Sequence, residues 1–180
     1  PDERPEIERA LIEGAREAWE KALAGRRDPG PLRSLARWHI RHGDKAKGLD
    51  LLVEAAQAVP GQRAMAIECG NQLINAGQYE RWLSVLEGLS PAVRADGRIR
   101  MLEARALIES GNLEKGEAIL LGGIVVADIR EGEVSLSDLW YRLQEKKIAR
   151  AEGIPEGEEL RARVEKECPP PAELDFRMKT

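Results

Sequence analysis

Apolar residues recur along most of the chain at a helical period of about 3.6 residues rather than the period of two expected of a strand. Leu32, Leu35, Ala36 and Ile40 fall on one helical face. The pattern then breaks at a glycine and resumes. Aligning "LARWHIRHGDKAKGLDLL", "CGNQLINAGQYERWLSVL" and "EARALIESGNLEKGEAIL" puts Gly43, Gly77 and Gly111 in one column, 34 residues from each to the next. Ile40, Ile74 and Ile108 follow the same step, as do Leu52, Leu86 and Leu120. Leu51, Val85 and Ile119 form an aliphatic column; Ala36, Gly70 and Ala104 form a small one. This pattern predicts helices over 31–42, 44–58, 62–76, 78–88, 96–110 and 112–121, preceded by a longer helix over 5–25.

Each unit therefore reads as two helices joined at a glycine, the residue that enters the left-handed region without a Cβ clash. Asp44 and Asn112 follow their glycines and are the expected N-caps of the second helix. The small column lets two helix backbones approach closely. A lone hairpin cannot bury both its faces, so units of this kind stack. Pro29 and Pro31 are expected to separate the first long helix from the next, because proline disfavours helix in the residue before it.

A helix–turn–helix unit of about 34 residues resembles the tetratricopeptide repeat. The resemblance rests on the small column, the turn glycines, Tyr79 after Gly77, and Pro60 closing one unit, and it covers roughly residues 5–125. It implies an all-α fold: a right-handed superhelix of antiparallel hairpins, an α-solenoid, over residues 1–128, with capping helices and a proline-rich tail over 129–180. Repeats of this family place alanine where this chain has Gly48, Trp82 and Gly116. "AWEKAL" resembles the second helix of a preceding repeat, and a start at Pro1 without methionine is read as a cut from a longer protein or as processing.

Past Leu121 the period is lost. "GGIVVADIREGEV" reads as a connector, and "SLSDLWYRLQEKKIARAEGI" as a serine-capped amphipathic helix ended by Gly153 and Pro155. One more short helix precedes "PPP", after which Leu174 and Phe176 are expected to pin the tail to the body. "EGEVSLSDLWYRLQ" with "PPPAELDFRM" resembles the C-terminal end of long bacterial proteins whose N-terminal domain is related to carbohydrate-active enzymes. That second resemblance implies a structural region of a glycan-handling parent.

Composition narrows the function classes. The formal charge of −4 argues against bulk affinity for nucleic acid or anionic lipid. The longest apolar run, Ala118 to Ala127, is too short to span a bilayer. Cys69 and Cys168 lie far apart with no CxxC, which fits a reducing compartment, and a cytoplasmic location is expected. No phosphate loop, zinc-protease or nucleophile-elbow motif occurs, so no enzyme activity and no cofactor are expected of this chain. The only two histidines, His39 and His42, stand three apart with Asp44 close behind. His39 shares a column with Leu73 and Leu107 and is expected in the core; His42, beside the turn glycine, suits the C-terminal end of a helix dipole. Trp19, Trp38, Trp82 and Trp140 are all placed on helices, as packing residues at their seams.

The chemistry expected of the chain lies along one stripe of the first helices. Arg37, Asn71 and Arg105 share a column at the same step, flanked by Arg33, Arg41, Asn75, Arg98 and Met101. In the family this stripe lines a concave groove, so the resemblance implies a partner-binding site made of these eight residues. Arginine's fork suits carboxylates, and asparagine holds peptide amides. The expected function is a scaffold module that docks a protein or peptide segment, or another domain of its parent, with a homo-oligomer possible and neither nucleic acid nor membrane as partner. The competing expectation is that these arginines simply pair with Glu68, Glu103 or Glu109.

Overall fold

The structure is a computed structural model describing residues 4–24, 26–130 and 132–174, with side chains from Ala10 onward. Among the described residues it is all-helical. The elements are α1 (Arg4–Ala22), α2 (Pro29–Arg41), α3 (Lys45–Ala58), α4 (Arg63–Asn75), α5 (Tyr79–Glu87), α6 (Pro91–Arg94), α7 (Gly97–Glu109), α8 (Leu113–Leu120), α9 (Leu136–Glu152) and α10 (Glu158–Glu167). The periodic stretches thus fold as the helices they predict, with ends shifted by a few residues at most.

The turn chemistry explains the boundaries. Gly43, Gly77 and Gly111 adopt φ of 94°, 73° and 86°, left-handed values that end α2, α4 and α7. Asp44 caps α3 by accepting from the Lys47 amide at 3.2 Å. Asn112 occupies the cap position of α8 but makes no capping bond with its side chain, which donates instead to the Ser110 hydroxyl at 3.1 Å. Pro29 and Pro31 start α2 rather than stand before it. Proline fits the first helical turn, where its missing N–H costs nothing, and Asp28 caps the Gly30 amide. The short α6 has no periodic signature; it forms because Ser90 caps the Val93 amide ahead of Pro91. The expected end of α1 at Gly25 lies outside the described residues.

Consecutive helices pack in pairs, α2 with α3, α4 with α5 and α7 with α8, and each pair touches the next in sequence. Leu52, Leu86 and Leu120 are all buried, as are Ala36, Gly70 and Ala104. At each hairpin crossing one position must be small. A Cβ on Gly48 would come within 2.6 Å of Ile40 Cγ1 and 2.7 Å of the Ala36 carbonyl oxygen, and one on Gly116 within 2.8 Å of Ile108 Cγ1. In the middle hairpin the sizes are exchanged. Trp82 is fully buried, and its ring lies 2.9 Å from where a Cβ on Gly70 would stand. The tryptophan in an alanine column is therefore accommodated by a glycine in the facing column.

Ion pairs tie hairpins together at separations close to one unit: Arg33 and Arg37 to Glu68, Arg63 to Asp96, Arg81 to Asp50, and Arg142 to Glu109. The connector after α8 is the long irregular segment its sequence predicts, and it folds back onto α4 and α7. Arg63 and Arg98 both reach Asp128 at 3.1 Å, and Arg98 also reaches Glu133 at 3.0 Å. Gly97 makes this approach possible, because a Cβ there would sit 1.9 Å from the Val125 carbonyl oxygen. Ser135 and Asp138 then form a reciprocal capping box, and α9 runs to a left-handed Gly153. α9 packs on α7 and α8, and α10 folds back on α9. Leu174 is buried beside Leu136 and Leu143 as expected, whereas Phe176 lies outside the described residues.

Candidate interaction surface

The helical register decides which side chains share the stripe. Residues 37, 71 and 105 take the same position on α2, α4 and α7 because the three helices repeat at one step, so the predicted column becomes a physical row. Two clefts flank Asn71. The first, about 550 Å³, lies between α2 and α4 and is lined by Arg37, Arg41, Ile67, Glu68, Asn71 and Gln72 among others. The second, about 280 Å³, brings together Asn71, Asn75, Arg98, Met101 and Arg105, with Glu133, Val134 and Leu139 forming the opposite wall. Seven of the eight expected residues line one cleft or the other; Arg33 lines neither.

The charges along this row are not equivalent. The Glu68 side chain, 16% exposed, accepts from Arg33 and Arg37 with its two oxygens, so these two arginines brace α2 against α4. Arg98 is half-buried against the connector. It donates to Asp128 and Glu133, and although burial opposes its charge, those bonds raise its pKa above the ordinary arginine value. Asp128 is held below the usual carboxylate range by Arg63 and Arg98; Glu133 is held below it by the Arg130 amide and then by Arg98. Arg41 and Arg105 form no ion pair among the described residues, and the Asn71 and Asn75 amides make no side-chain hydrogen bond there. The pairing with Glu68 foreseen as the competing reading is thus what Arg33 and Arg37 do, while Arg41, Asn71, Asn75 and Arg105 stay uncommitted along the clefts.

Sequence reasoning missed the connector wall of the second cleft, since Glu133 and Val134 sit in an aperiodic segment. It could have found Ile67 and Gln72, which lie one step beyond Arg33 and Trp38. The histidines occupy the predicted places. His39 is 5% exposed, with Nδ1 3.8 Å from Asp44 and a buried Nε2 that has no hydrogen-bond partner among the described residues. Burial, with Lys47 nearby, pushes its pKa below 6.5. His42 caps α2, its Nδ1 2.7 Å from the Trp38 carbonyl oxygen and its ring stacked on Trp38 at 4.3 Å between centroids. Among the described residues no group of three or more His, Cys, Asp or Glu side chains is arranged to hold a metal.

The tryptophans pack at seams. Trp140 donates to the Cys168 carbonyl oxygen at 3.1 Å, and Trp38 lies beneath the Arg16 guanidinium. Burial drives the Cys69 thiol up to about 12, so it is inert at neutral pH. No described helix is long and apolar enough to cross a membrane. Comparison with family models, with curated proteins and with solved structures finds no match.

Proposed function

We propose that the chain is a non-catalytic interaction module, a tetratricopeptide-like right-handed solenoid that docks an extended protein segment along α2, α4 and α7. The contact pattern favours this reading, because each hairpin touches its neighbours in sequence and the hairpins advance by a constant 34 residues over three units. The observation that carries the function is the row of uncommitted polar side chains, Arg41, Asn71, Asn75 and Arg105, along two clefts that meet at Asn71. Arg33 and Arg37 on the same stripe are instead held by Glu68, so it is the four uncommitted side chains that are left facing the clefts. Asparagine amides can bond both N–H and C=O of an extended backbone, and Arg105 supplies a forked donor for an acidic side chain. Met101, 6% exposed, lies at the base of the second cleft as an adaptable apolar contact.

The test is fluorescence anisotropy against an array of extended peptides that vary in acidic content. Acidic peptides are expected to bind best. Asn71→Ala with Arg105→Glu is expected to weaken that binding by about tenfold or more, equivalent to at least 1.4 kcal/mol. Binding that ignores both the acid content and these substitutions contradicts the reading.

A further inference from the structure

Glu133 sits where two clefts meet. It lines the second docking cleft, of about 280 Å³, together with Asn71, Asn75, Arg98, Met101 and Arg105. It also lines a larger cleft of about 830 Å³, whose other walls include Val126, Ser135, Tyr141 and Arg161. Glu133 is the residue that the two clefts have in common, so its side chain partitions them.

Little holds that side chain in place. Glu133 Oε2 accepts from Arg98 Nη2 at 3.0 Å and from the Arg130 amide at 3.1 Å. The side chain is 39% exposed, and exposed ion pairs are weak. Asp128, the other carboxylate on Arg98, is bonded by Arg63 as well. Val126 and Leu136 are buried on either side of Glu133, which is itself exposed and turns away from Arg98 without disturbing the core.

Arg98 belongs to the same cleft as Asn71, Asn75 and Arg105. A guanidinium presents a planar fork of donors, and here part of that fork is taken by a carboxylate of the chain itself. Glu133 has Arg98 as its one ion-pair partner among the described residues. A carboxylate entering this cleft from outside is offered Arg105 in addition.

We propose that Glu133 is an internal competitor for the acidic side chain of a docked segment: it closes the second cleft by occupying Arg98, and the segment opens that cleft by taking its place. This inference rests on the docking reading above. Exchanging one carboxylate for another keeps the Arg98 charge paired. Once Glu133 turns out, the second cleft is continuous with the larger one beside α9, and the docked segment gains room in that direction. Only the fraction of free protein with Glu133 turned out is ready to bind, so the apparent dissociation constant exceeds the intrinsic one by the inverse of that fraction.

Glu133→Gln keeps the shape of the side chain and removes its charge. A fluorescein-labelled peptide of alternating glutamate and serine, titrated against the full chain, is expected to bind this variant about threefold to fivefold more tightly than the wild type, the gain an exposed ion pair supplies. Glu103→Gln removes the same charge from a separate cleft and is expected to leave the affinity unchanged. Because the Arg130 amide is bonded to the Glu133 carboxylate, its hydrogen exchange reports where that carboxylate stands. Exchange at Arg130 is expected to quicken when the peptide saturates the wild type. Binding of the peptide to the wild type with no gain in Glu133→Gln, or with an equal gain in Glu103→Gln, overturns the competition and leaves the docking reading standing. Exchange at Arg130 unchanged by bound peptide overturns it too, and binding to neither protein overturns both.

Discussion

At Gly70 and Trp82 the identity of a single side chain is set by its partner across a helix crossing. The flanking hairpins put alanine on the first helix and glycine on the second; the middle one exchanges the sizes. Trp82→Ala removes a fully buried indole and is expected to cost about 3–5 kcal/mol in urea unfolding. Gly70→Ala gains helix propensity of up to about 1 kcal/mol, yet forces a methyl against a rigid ring and is expected to destabilise the wild type. In the Trp82→Ala background the ring is gone, so Gly70→Ala is expected to stabilise. A double-mutant cycle reads that change of sign, and additive effects would refute the size exchange.

His39 illustrates a different cost at the same scale. Its columnar equivalents are Leu73 and Leu107, and its Nε2 is buried without a partner among the described residues. Because its folded pKa is depressed below 6.5, the unfolded chain binds the proton more readily. Its contribution to stability is thus complete above pH 6.5 and lost as pH falls through the folded value. His39→Leu is expected to flatten the stability profile below pH 6.5 and to raise stability at neutral pH by about 1 kcal/mol. A profile unchanged by the substitution would show that another group governs that window.

Among the elements, the connector shows what periodicity leaves out. Helices α2 to α5, α7 and α8 were legible because burial repeats at a fixed step and each turn has its own glycine. The columns also placed His39 in the core and Arg37, Asn71 and Arg105 in one row. The fold-back of residues 121–130 was not legible, since it depends on pairings far apart in sequence: Gly97 under Val125, and Arg63 and Arg98 on Asp128. For the same reason the wall that Glu133 and Val134 give the second cleft had no local signal. Gly97 opens α7, where alanine would ordinarily favour the helix by up to about 1 kcal/mol. Here its Cβ would strike the Val125 carbonyl, so Gly97→Ala is expected to lift the connector while α7 stays formed. Limited proteolysis is expected to cut the variant within residues 121–134 several times faster than the wild type; equal cutting rates would mean the connector is held elsewhere. The carboxylates that fix the connector, Asp128 and Glu133, have lowered pKa values, so acidification below the ordinary carboxylate range removes the same anchor.

Across the whole molecule, contacts run from each hairpin to the next and ion pairs follow the same spacing. Side chains one repeat step apart, Arg37, Asn71 and Arg105, line two clefts that share Asn71. That geometry is why a row of uncommitted arginine and asparagine residues is more informative than any one of them.

NMR amide chemical-shift mapping during titration with an extended acidic peptide tests the docking row most directly. Perturbations concentrated at Asn71, Asn75, Met101 and Arg105, and abolished by Arg105→Glu, are the predicted result. Shifts centred instead on the cleft of Leu83, Arg94, Leu107 and Lys115, or no saturable shifts at all, would contradict it.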